Sequence, residues 1–80
     1  MIAGRNNPPV IPRRELIALV SYLETGSHRA GARRLGISES TSRQRISALI
    51  QRLGVETSAQ ATWVLRGELE AERQERLGAP

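Results

Sequence analysis

The chain has 80 residues, with 12 basic residues that are all arginine, 8 acidic residues that are all glutamate, and a net charge of +4. A chain this short supports one small domain, because it buries only about 60% of the surface its unfolded form exposes. Cysteine and aspartate are absent and histidine occurs once, which excludes disulfides and thiolate metal sites and leaves no material for a histidine-rich metal centre or a Ser-His-Asp triad.

The first twelve residues read as a flexible arm, since Pro8, Pro9 and Pro12 with Asn6-Asn7 resist regular structure. Pro12 also suits the entry to a helix. The spacing predicts a first helix over Arg13–Glu24, with Leu16, Leu19, Val20 and Leu23 on one apolar face and Tyr22 near it. Gly26 suits a left-handed cap, and Ser27 caps a second helix over His28–Leu35. Gly36 turns the chain, Ile37 plugs the turn, and Ser38 caps a third helix over Glu39–Leu53. The buried face of that helix reads Ser42, Ile46, Leu49, Leu53. Ser42 then places a hydroxyl in the core, either bonded back to a carbonyl one turn earlier or marking a tilted helix. Gly54 ends the third helix. Thr57 with Gln60 forms a capping box for a fourth helix that turns Ala61, Val64 and Leu65 inward and runs to about Leu69. Residues 70–80 read as a polar tail, partly helical or frayed. Its glutamates either pair with its own arginines, as Glu72 with Arg76, or stay solvated, and solvation is the favoured reading. There are no strand signals and no repeats, so the expected fold is all-α.

The stretch Gly26 to Ile46 is a short helix, a glycine turn, a capping serine and a longer helix, which is the layout of a helix-turn-helix. Small residues Ala30, Gly31 and Ala32 would let the second helix lie close across the third. At 100° per residue, Glu39, Ser40, Arg43, Gln44 and Ser47 fall together on the outer face of the third helix. These residue types suit base edges: Arg pairs with guanine, Gln with adenine, Glu accepts from cytosine, and Ser adapts. Ser27, His28, Arg29, Arg33, Ser38 and Thr41 are placed for phosphate. Arg45, beyond the edge of the face, is a phosphate or an intramolecular contact. Arg5 and Asn6 of the arm could enter a minor groove, against plain disorder in the absence of DNA. His28, as a lone histidine, reads first as an exposed helix-start residue. Trp63 has two readings: a helix-helix dimer contact with Ala59, Arg66, Gly67 and Glu70, or a cap on the intramolecular core.

Charge supports a polyanion partner. Residues 1–55 hold nine Arg against three Glu, a balance of +6, and residues 56–80 hold three Arg against five Glu, a balance of −2. A basic body with an acidic end fits nucleic-acid binding.

Two families are resembled. Gly26 through Leu35 resembles the helix-turn-helix of LysR-type regulators. From Ala32 the chain resembles the LuxR-type (GerE) DNA-binding domain through Ala32-Arg33-Arg34-Leu35-Gly36-Ile37-Ser38, Thr41, Ile46, Leu49, Leu53-Gly54-Val55, Thr57 and Ala59-Gln60-Ala61. This part covers about half the chain. The resemblance implies a third helix that reads the major groove and a fourth that mediates dimerisation. The chain departs from the pattern at Ser42, where the family has valine, at Arg43 and Arg45, where it has lysine and histidine, and by a one-residue shorter connection after the first helix. Its target sequence therefore does not carry over.

The expected function is sequence-specific binding of double-stranded DNA by a small transcriptional regulator, a homodimer through the fourth helix. No enzyme activity, cofactor, metal, small-molecule site or membrane contact is expected. The residues before Val10 lack the apolar stretch of a signal peptide, which sets the expectation of a cytoplasmic, nucleoid-associated protein. Arginine-only usage with many Ala and Gly points to a GC-rich coding sequence, as in actinobacteria or their phages. The rival from another class is a protein-interaction module docking on another regulator or a polymerase subunit. The polar, Arg-rich face of the third helix argues against it.

Overall fold

The computed structural model describes residues 10–76 and Gly78. Arg5 and Asn6, and the rest of the arm before Val10, lie outside the described residues. Five helices follow in order: α1 Arg13–Thr25, α2 His28–Leu35, α3 Glu39–Leu53, α4 Ser58–Val64 and α5 Arg66–Arg76. The fold is all-α, with no strand among the described residues.

Local signals set most boundaries. The hydroxyls of Ser27, Ser38 and Thr57 each accept the N–H three residues on, in Ala30, Thr41 and Gln60. Each therefore satisfies a donor that the first turn leaves free. Gln60 completes the box by accepting from the N–H of Thr57 at 3.1 Å. Gly26, Gly36 and Gly54 sit at φ 87°, 71° and 72°, a region that costs other residues strain. After Gly36 the N–H of Ile37 returns to the carbonyl of Ala32 at 3.0 Å, closing the helix end.

α1 is the hub, packed against α2, α3 and α5. Its buried residues are Glu15, Ala18, Leu19, Val20 and Ser21, and Tyr22 packs partly buried against the core. Of the expected face Leu16-Leu19-Val20-Leu23, Leu19 and Val20 are buried and Leu16 packs partly buried against the core, and Glu15, Ala18, Ser21 and Tyr22 widen the inward face to one side. Leu23 is left 45% exposed. Glu15 sits inside because Arg52 of α3 meets it with two hydrogen bonds, at 3.1 and 2.9 Å. Such a bidentate pair makes a buried carboxylate tolerable. The hydrogen bond to Glu15 is the main influence raising the Arg52 pKa.

α3 contributes Ser42, Ile46 and Leu49 to the interior, as its periodicity predicts, with Leu53 partly buried. Ser42 is fully buried and its Oγ has no hydrogen-bond partner, so the expected bond back to a carbonyl is not made. Gly31 also differs from expectation. A Cβ there would lie 3.1 Å from the Tyr22 nitrogen and 3.2 Å from the Ser21 carbonyl carbon. Its missing side chain thus admits the backbone of α1, not α3.

The largest correction concerns the C-terminal end. The single helix expected to reach Leu69 breaks at Leu65, whose φ of −100° and ψ of 17° end α4. α5 then runs on to Arg76 with Gly67 in its first turn, where glycine disrupts less than in mid-helix. Ala61, Leu65, Leu69 and Glu72 form the inward stripe, while Val64 is 51% exposed instead of buried. Residues 70–76 are helical and exposed except for Glu72, with Arg73 3.6 Å from Glu70, and Glu72 is the departure from the expected solvated tail. Glu72 is buried and accepts from Nε and Nη2 of Arg13, both at 3.1 Å. Glu75 takes the same guanidinium. Arg76 donates to Ser21 Oγ at 3.0 Å, not to Glu72. The acidic end is thus the partner of α1, and Glu72, then Glu75, raises the Arg13 pKa.

Candidate nucleic-acid interface

Ser38 fixes where α3 begins, and the core face of α3 fixes its rotation. Together they decide which side chains point outward. Glu39, Ser40, Arg43, Gln44 and Ser47 are all exposed, and all five line one shallow concave strip. Ala48 and Gln51 continue the strip. Sequence reasoning missed these two, although 44, 48 and 51 extend the same helical spacing.

Within the strip, Arg43 is not free. Its Nη2 and Nε donate to Glu39 Oε2 at 2.9 and 3.2 Å, an i,i+4 pair of exposed side chains. Such a pair is worth about 0.3–0.5 kcal/mol, weak enough for a base edge to displace.

Beside the strip, Ser27, Arg29 and Arg33 line a second concavity together with Thr25, Ala30 and Arg34. Arg29 and Arg33 make no ion pair among the described residues, whereas Arg34 is held by Glu24 at 2.7 Å. Arg45 is half-buried and likewise makes no ion pair among the described residues, so no intramolecular carboxylate claims it. The Ser38 hydroxyl accepts from Thr41 N at 3.0 Å and donates to Thr41 Oγ1 at 2.9 Å. The two hydroxyls therefore share one hydrogen bond, and one hydrogen of the pair remains to offer a phosphate.

His28 is corrected. It is half-buried and stacked on Tyr22, with ring centroids 4.3 Å apart and planes at 21°. Its Nδ1 is buried without a partner. Desolvation, and then the nearby Arg43, hold its pKa below the ordinary imidazole value, with Glu39 opposing. It is a half-buried residue stacked between α1 and the start of α2, and not the exposed helix-start residue that the sequence suggests.

The expected dimer residues Ala59, Trp63, Arg66, Gly67 and Glu70 are all exposed, with Trp63 67% exposed. Trp63 therefore does not cap the core. The Arg66 guanidinium lies 4.1 Å from the centre of the indole ring, within cation–π range. Arg66 also donates to the Trp63 carbonyl at 2.7 Å, serving a group left free where α4 ends.

Among the described residues, no cluster of three His, Cys, Asp or Glu could hold a metal ion, and no helix is long and apolar enough to cross a membrane. No family model, curated protein or solved structure matches the chain.

Proposed function

We propose that the chain binds double-stranded DNA sequence-specifically, as a small transcriptional regulator with α3 in the major groove. In this reading α2, the Gly36 turn and α3 act as a helix-turn-helix. The observation that carries it is the strip on α3. The five side chains expected to meet bases share one exposed concavity, and Arg29 and Arg33 stand in a second one on the neighbouring helix without carboxylate partners among the described residues. Arg13, Arg34, Arg43, Arg52 and Arg73 find carboxylates, whereas Arg29 and Arg33 on the α2 face find none among the described residues. Cations left open beside a polar strip suit phosphates flanking base edges. The resemblance of residues 32–61 to the LuxR-type domain supports the same reading. It also supports a homodimer through the exposed residues of α4 and α5, with two recognition helices meeting half-sites about 34 Å apart.

The test is anisotropy of a labelled duplex at increasing salt. The affinity should fall with a log–log slope of about −0.9 per phosphate neutralised. Arg29→Ala and Arg33→Ala should each flatten that slope by about one and lower affinity equally on all sequences. Salt-independent binding, or none at 50 mM salt, would contradict the proposal.

A further inference from the structure

We propose that the groove between α1 and α5 receives Trp63 of a second copy, so that two chains exchange tryptophans about a two-fold axis. This rests on the homodimer reading above and specifies its contact. The groove is lined by the apolar side chains of Val20, Leu23 and Leu69, with Glu24, Glu70, Arg66 and Arg73 around them. Its volume is about 200 Å3. That is below the range of small-molecule sites and above the roughly 150 Å3 that holds a single aromatic ring.

The occupant stands at its edge. Arg66 lines the groove and covers the Trp63 ring, so the most exposed large ring of the chain borders the recess that would hold it. A residue and its receptor that adjoin on one surface are what a two-fold contact requires, because residue i meets j while j meets i. The charges are complementary. Arg66 has no carboxylate partner among the described residues, and Glu70 is exposed, held by Gln74 at 2.9 Å and by Arg73 at 3.6 Å. Exchange would carry Arg66, on its indole, toward Glu70 on the rim of the partner copy's groove. Large apolar side chains left open at such a rim mark contact surfaces.

Trp63 is the only tryptophan, so its emission reports its own environment. The experiment is intrinsic fluorescence across a protein dilution series, with sedimentation equilibrium on the same samples and no DNA. Emission should shift to shorter wavelength as dimer forms. Leu23→Arg, at a position 45% exposed, should weaken dimerisation about ten-fold or more and abolish the shift while circular dichroism stays unchanged. A dimer that keeps long-wavelength emission, or one indifferent to Leu23→Arg, would overturn the groove contact and leave the dimer standing. A chain monomeric at every concentration would overturn both. Short-wavelength emission independent of concentration would place a segment of the same chain in the groove and overturn the exchange.

Discussion

The two sides of this molecule use arginine for opposite ends. Where α5 lies on α1, Arg13 meets Glu72 and Glu75, Arg73 meets Glu24, and Arg76 meets Ser21. Around α2 and α3, Arg29, Arg33 and Arg45 meet no carboxylate among the described residues, and Arg43 has only its neighbour Glu39. Glu72 and Glu75 thus hold Arg13 on the scaffold side, while Arg34 and Arg52 are held by Glu24 and Glu15 and three arginines of α2 and α3 keep no carboxylate among the described residues. Net charge alone does not show this. A balance of +4 over 80 residues is modest, and it becomes a binding argument only through where the pairs form.

Substitutions can break this contrast or sharpen it. Leu49 is fully buried between the two sides, and Leu49→Ala should cost about 2–5 kcal/mol in urea unfolding, with DNA binding lost alongside. Retained stability would mean that α3 is not anchored through its core face. Arg43→Ala should act on one side only, costing about 1–3 kcal/mol of binding and relaxing preference at one base pair, with unfolding unchanged. An equal loss on every sequence would make Arg43 a phosphate contact. Ser42→Ala tests the interior between the sides. It removes a buried hydroxyl without a partner and should stabilise by about 1 kcal/mol. Destabilisation would reveal a hydrogen bond held by that hydroxyl.

Arg13→Ala should act on the scaffold side alone. It should lower Tm by less than Leu49→Ala and leave DNA affinity unchanged, and the loss should shrink as salt rises, since Arg13 is exposed. The smallest effect is on pH dependence. The folded-state pKa of His28 lies below its ordinary value of 6.5, so the unfolded chain binds the proton more readily. Stability should therefore fall as pH drops through 6.5 toward the folded pKa, then level off with respect to this group. His28→Gln should remove that component, and an unchanged pH profile of Tm in the variant would place the titration elsewhere.

What was legible in the sequence is what depends on near neighbours. The caps at Ser27, Ser38 and Thr57, the glycine stops and the outward strip of α3 all follow from residues within a turn or two. What was not legible depends on partners far along the chain. Glu15 reads as a surface charge until Arg52, 37 positions away, is seen to meet it. Without that pair the inward face of α1 comes out too narrow on the Glu15 side, while Leu19 and Val20 are placed inside as they are found. The tail reads as solvated until Glu72 meets Arg13 across 59 positions. The break at Leu65 has no glycine or proline at the site to announce it. Ala48 and Gln51 are a different case, since helical spacing alone would have extended the strip to them.

The central claim is that the strip on α3 reads sequence. It is tested most directly by selecting binding sites from a random duplex library with the 80-residue protein, then sequencing the bound pool. The account predicts an enriched inverted repeat, with half-sites about one helical turn apart. A pool that stays random at modest salt, where phosphate contacts alone still hold DNA, would contradict it.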